Sequence, residues 1–141
     1  MIDVHMEVVQ SDGGTRIASI TAASVALADA GIPMRDLVCG VSVGKVAGHM
    51  VLDPDKYEDN LGSSDIPMIF APRNGEVLLY QMDGMLSKDE VRTAMEMAFS
   101  ASKKIRALQE QALKKKYLEV FERIKTNENV PSAEPSEVQQ G

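Results

Sequence analysis

The 141-residue chain has no tryptophan, three tyrosines, three phenylalanines, two histidines and one cysteine. Each shortage closes a route. Cys39 cannot pair within the chain, so no internal disulfide holds the fold. Its apolar surroundings fit a packing role in a reducing compartment. One cysteine and two separated histidines make no zinc-ligand spacing. His5 and His49 have no nucleophile or ligand partner nearby in sequence and are read as structural. No apolar run approaches the roughly 20 residues of a membrane-spanning helix. The opening Met1-Ile2-Asp3-Val4-His5 lacks a basic stretch leading into an apolar core, so it is not read as a secretory leader. Positive charge is also short. A net charge of −6 excludes a nucleic-acid binder that works by bulk attraction.

Hydrophobic residues make up 44% and charged residues 26%, which predicts one globular domain with a modest core. The charge is unevenly distributed. Residues 1–102 carry 7 basic and 15 acidic residues, a balance of −8, whereas residues 103–125 carry 8 basic and 3 acidic, a balance of +5. An acidic body of this kind binds RNA only where a partner supplies positive surface or metal ions bridge carboxylates to phosphates.

Residues 3–10 alternate, with Val4, Met6 and Val8 on one side, and predict a strand starting almost at residue 1. Such an abrupt start fits either a true beginning or a chain cut inside a larger domain. Residues 15–30 carry no charge between Arg16 and Asp29, which predicts a helix buried on most sides, stopped by Gly31 and Pro33. Residues 36–53 read as a hairpin turning near Gly44-Lys45, followed by an acidic loop over 53–65. Two strands, Ile66–Ala71 and Val77–Met82, are joined through Arg73-Asn74-Gly75, where Asn-Gly is a hairpin pair. Ser87 and Glu90 form a capping box for a long helix to about residue 124, with a stripe through Val91, Met95, Ala98, Ser102, Ile105 and Ala112. Lys114-Lys115-Lys116 is read as a solvated face of that helix. The fold class is α/β (α+β), a mixed four- to five-stranded sheet packed against helices.

Two stretches carry chemistry. In Ser11-Asp12-Gly13-Gly14-Thr15-Arg16, glycines let the backbone approach an anion, the first N–H groups of a helix point at it, and a guanidinium adds a planar fork of donors. The same residues also make an ordinary strand-to-helix turn capped by Thr15 or its neighbour, and the residues alone leave both readings open. The second stretch holds Asp53 and Asp59, with Asp55, Glu58 and Asp65 nearby. Paired carboxylates at a strand end hold magnesium or pass a proton, or else simply solvate a loop. An anion site and a cation site at strand ends on one side of a sheet together point to phosphoryl transfer.

Glu7–Arg16, Ala26–Leu37 and Val51–Asp59 resemble the RNase PH family, most closely the catalytic RNase PH-type subunit of the archaeal exosome. The resemblance runs from about residue 2 to residue 118. It implies an RNase PH-like half-domain (ribosomal protein S5 domain 2-like), with residues 1–125 as its C-terminal half, while the Asn-, Pro-, Ser-, Glu- and Gln-rich residues 126–141 read as a disordered polar tail. It implies a 3′-to-5′ exoribonuclease in which inorganic phosphate attacks the terminal linkage of RNA and releases nucleoside diphosphates; run backward, the reaction adds tails. The motif match puts Gly14, Thr15 and Arg16 on the phosphate. It puts Asp53 and Asp59 on a magnesium ion and on proton transfer, with Asp65 a weaker match. The partners implied are a non-catalytic homologue in a six-membered ring, RNA-binding cap subunits and single-stranded RNA, in the cytoplasm. The family has two similar halves and only the second is matched, so the arginines that grip RNA from the first half are missing. A non-catalytic structural subunit or an inactive half-domain are the alternatives. The presence of both Gly-Gly-Thr-Arg and the Asp53/Asp59 pair argues against the former.

Overall fold

The computed structural model describes residues 1–128. In chain order it has α1 (Thr15–Asp29), β1 (Cys39–Val46), β2 (His49–Leu52), α2 (Lys56–Leu61), β3 (Ser64–Ala71), β4 (Glu76–Tyr80), β5 (Asp83–Gly84) and α3 (Lys88–Glu128). The expected sheet against helices is present, with strand order β2-β1-β3-β4 and β5 pairing with the start of β3. Its pairings among the described residues are all antiparallel rather than mixed.

The two faces of β1 differ in bulk, and this difference positions the rest. Val41 and Val43 join Ile66, Met68 and Phe70 of β3 in the core, closed by Ala94 and Ala98 of α3. Cys39 is fully buried beside them and donates its thiol to the Ser102 carbonyl at 3.3 Å. Burial pushes that thiol up to about 11, which fits the expected packing role. The alternate positions of β1 are Gly40, Ser42 and Gly44. A β-carbon at Gly40 would lie 2.7 Å from side-chain atoms of both Ile17 and Ile69, and one at Gly44 would lie 3.2 Å from the Pro54 ring. These small residues leave room for the first turn of α1 and for the chain leaving β2.

β2 pairs only with Val43–Val46, so the first part of β1 has an open edge. α1 covers it with hydroxyls: Val38 N–H donates to Ser24 Oγ at 2.8 Å and Gly40 N–H to Thr21 Oγ1 at 3.0 Å. Gln109 of α3 completes the joint, its Nε2 donating to the Thr21 and Val38 carbonyls. α1 ends as expected at Gly31, whose φ of 74° lets Ile32 N–H reach the Leu27 carbonyl at 3.1 Å in a Schellman motif.

Asp36 ties three elements together. Its carboxylate accepts from Leu37 N–H at 2.8 Å, Arg73 N–H at 2.7 Å and Arg106 Nε at 2.8 Å. Burial pushes this carboxyl up, but the Arg106 guanidinium and the two N–H groups outweigh it and hold the group below its usual range.

The expected capping box of α3 forms, with Glu90 N–H donating to Ser87 Oγ at 3.3 Å and Ser87 N–H to Glu90 Oε2 at 2.8 Å. Lys45 of β1 pairs with Glu90 at 2.6 Å, and with the Ser87 contacts it lowers that carboxyl to about 2. Ser87→Ala should therefore cost about 1 kcal/mol, read as a lower urea midpoint at unchanged slope.

Several expectations fail for identifiable reasons. Residues 3–10 form no strand; Val4, Met6 and Val8 are about half exposed and no neighbouring strand among the described residues offers them hydrogen bonds. α1 is not buried on most sides: only Ile17 and Ser24 are, because a cleft of about 1100 Å³ opens between α1 and α3. The first hairpin turns at Ala47-Gly48, with φ of 48° and 82°, a type I′ geometry that places Gly44 inside β1. The loop expected over 53–65 contains α2, started by a second capping box between Asp55 and Glu58. The buried stripe of α3 runs through Ala94, Ala98, Ser102 and Gln109, leaving Met95 exposed. The basic run is solvated as expected: Lys114, Lys115 and Lys116 are all exposed, with Lys115 pairing with Glu119 and Lys116 with Asp29. Both histidines are exposed. The polar tail expected from residue 126 lies outside the described residues, apart from 126–128, which continue α3.

Candidate active site

The Gly13-Gly14 turn is left-handed at both residues, with φ of 91° and 56°, and Gly14 is the N-cap of α1. No side chain caps this end, and no acidic residue occupies the first turn. The first intrahelical bond is Ala18 N–H to the Gly14 carbonyl at 3.0 Å. The N–H groups of Thr15, Arg16 and Ile17 therefore have no intrahelical acceptor and present the positive end of the helix outward. Thr15 is the first helical residue, not the cap. The turn expected from sequence forms, and it leaves these N–H groups open.

The chain leaving β2 packs directly on this turn. A β-carbon at Gly13 would lie 2.8 Å from the Pro54 carbonyl oxygen and 3.2 Å from the Asp55 carbonyl carbon. One at Gly14 would lie 4.0 Å from Asp53 Oδ1. Asp53 itself has a φ of 57°, unusual for a residue with a side chain, and donates its N–H to the Ser42 carbonyl at 2.9 Å. Asp12, Gly13, Gly14 and Asp53 line one end of the cleft between α1 and α3. An anion at the helix end would sit beside the Asp53 and Asp12 carboxylates. That donor set suits a cation held between carboxylate and phosphate, because magnesium needs only one or two protein carboxylates when the substrate supplies the rest. Among the described residues, no group of three or more His, Cys, Asp or Glu is placed to hold a metal without such help.

Arg16 follows the turn but donates its guanidinium to Gln81 Oε1, a neutral partner, and pairs with no carboxylate among the described residues. Gln81 is held by its N–H on the Pro67 carbonyl at 3.1 Å. Asp65 accepts from Ser42 Oγ at 2.5 Å. Asp59 stands exposed on α2, its carboxylate unpaired among the described residues, and it does not line the cleft. The structure thus brings Gly14, Thr15 and Asp53 together and leaves Asp59 on the neighbouring helix. Sequence reading missed Ser42 and Gln81. The small residues at 40, 42 and 44 were the available sign for Ser42, since they mark a face kept clear for neighbours.

Residues 1–33 match the 3′ exoribonuclease family, domain 1, and residues 36–101 match domain 2 of that family, so the match is not confined to the second half, as the resemblance had implied. The chain is 57% identical over 116 residues to the exosome complex component Rrp41 of Thermoplasma acidophilum, covering 82% of this chain and 47% of that protein. It is 50% identical over 127 residues to the Rrp41 of Pyrococcus abyssi, covering 90% and 51%. The chain spans about half the length of the curated relatives it matches. The crystal structure of rice Rrp46 superposes with a TM-score of 0.69 at 25% identity, over 75% of this chain and 51% of that one. With two successive domains of one family matched in order and relatives this similar, the chain belongs to the 3′ exoribonuclease, or RNase PH, family.

Proposed function

We propose that this chain supplies the catalytic site of a phosphorolytic 3′-to-5′ exoribonuclease, as a subunit of an archaeal-type exosome in the cytoplasm. The observation that carries the reading is the uncapped start of α1 set against Asp53. Gly14 and Thr15 N–H groups would hold inorganic phosphate, and Arg16 would exchange its neutral Gln81 partner for a phosphate oxygen. That oxygen attacks the terminal phosphorus of the RNA, a new P–O bond forms, and the ribose 3′ oxygen leaves with a proton. The product is a nucleoside diphosphate. Asp53 and Asp59 would serve the metal and the proton, with magnesium neutralising charge on the transferred group. A homologous non-catalytic subunit in a six-membered ring, with RNA-binding caps, would bring the positive surface that an acidic body of −8 over residues 1–102 lacks. Residues 1–125 would act as the C-terminal half of an RNase PH-type domain within that ring.

The test uses the assembled complex, single-stranded RNA and inorganic phosphate. Nucleoside diphosphates should appear only when phosphate is present. Asp53→Asn should lower turnover by roughly 10²-fold or more, with the ring intact. Unchanged turnover in that variant, or release of monophosphates without phosphate, would refute the reading.

A further inference from the structure

Ser42 lies mid-strand in β1, only 4% exposed. A buried serine in a strand normally satisfies its hydroxyl on nearby backbone. Here the hydroxyl instead donates 2.5 Å to Asp65 Oδ1, on the adjacent strand β3. The Ser42 carbonyl accepts the Asp53 N–H at 2.9 Å. One buried residue therefore touches both Asp53 and Asp65, the first through its backbone and the second through its side chain. Its face of the sheet is the cleared one, sharing with Gly40 and Gly44 the side where Ile17 and Pro54 pack. The start of α1 and the chain carrying Asp53 thus meet over Ser42 and Asp65. Asp65 also stands opposite Asp83 in the β3–β5 pairing, a like-charge neighbour that would drive its carboxylate aside. The Ser42 hydroxyl fixes one carboxylate oxygen against that push, and the other accepts no hydrogen bond among the described residues.

We propose that Ser42 is a positioning residue for the phosphorolytic site, acting through Asp65 while its carbonyl holds the left-handed Asp53. This rests on the function proposed above. A side chain that only aims a reacting group changes the chemical step more than phosphate binding.

The experiment measures phosphate-dependent release of nucleoside diphosphates by the assembled complex carrying Ser42→Ala, Ser42→Thr, Asp65→Asn, and Ser42→Ala with Asp65→Asn. Ser42→Ala should lower kcat roughly tenfold, with KM for phosphate within about twofold. Ser42→Thr keeps the hydroxyl on a residue suited to strands and should recover most of that loss. In the Asp65→Asn background, Ser42→Ala should add little, because its effect passes through the group already changed. Thermal melting of each complex confirms assembly. A fully active Ser42→Ala complex overturns the inference while leaving the proposed function standing, as does a loss that persists undiminished in the Asp65→Asn background. A wild-type complex with no phosphate-dependent release refutes the proposed function first, and this role with it.

Discussion

Replacing Asp36 with alanine should remove about 3 kcal/mol or more of folding free energy, a large share for a chain of this size. The Asp36 side chain is 2% exposed and the Arg106 side chain 20%. Truncation leaves Arg106 with only its partner Glu110, at 2.8 Å, and strips the acceptor from two backbone N–H groups. Those groups belong to the segment entering β1 and the β3–β4 connection, so one residue's loss loosens two junctions on α3. Urea unfolding followed by circular dichroism checks the size. pH checks the cause. The carboxyl is held below its usual range when folded, so its contribution is complete above the unfolded pKa, about 4, and drains away as pH falls through the lower folded value. The gap between wild type and Asp36→Ala should therefore narrow below about pH 4 and stay constant above it. A gap independent of pH down to acid unfolding would assign the effect to packing alone.

Replacing Gly13 with valine should abolish the function proposed for the site and also weaken the fold. At φ of 91° a β-branched residue is strained, and the new β-carbon would press on the Pro54 carbonyl oxygen from 2.8 Å. The obstacle is backbone, so it cannot swing away as a side-chain tip would. The turn and the Asp53–Asp55 chain must separate, which should cost about 1–3 kcal/mol. A displacement near 1 Å at a reacting centre costs roughly 10²-fold in rate. Gly31→Ala is the control: its φ is 74°, yet nothing lies within 4 Å of the added atom. It should lose about 1 kcal/mol and keep full phosphorolysis in the complex. Equal losses of activity in the two variants would mean that backbone strain, not the contact with Pro54, is what matters.

What could be read beforehand was what the chain determines locally. The charge-free run ending at Gly31, the Asn74-Gly75 hairpin and the Ser87/Glu90 cap each depend on residues a few positions apart, and each formed. The alternating run at 3–10 shows the limit of that method. Periodicity states which side chains agree, but a strand also needs a neighbour to bond, and the described residues provide none. The turn at 47–48 was hidden because alanine gives no sign of a left-handed backbone. α2 was hidden because its cap, Asp55 with Glu58, opens onto a short polar stretch without apolar spacing. At the site, Gly13 and Asp53 were each legible, but their meeting depends on the β1–β2 hairpin returning the chain to the start of α1. The Arg16–Gln81 contact, spanning 65 positions, left no local trace. The family itself was legible, because three motifs occur in order.

The row Gly40, Ser42, Gly44 has a consequence for how this sheet tolerates change. On the opposite side, Val41 and Val43 sit in a filled core where swaps of equal volume cost little. On the cleared side, volume itself is the constraint. Enlarging Gly40 or Gly44 would push α1 or Pro54 outward, and the start of α1 would move with them. A library varied along β1 should therefore split: Val41 and Val43 would accept exchanges among apolar types, while Gly40 and Gly44 would enforce a ceiling on size whatever the polarity.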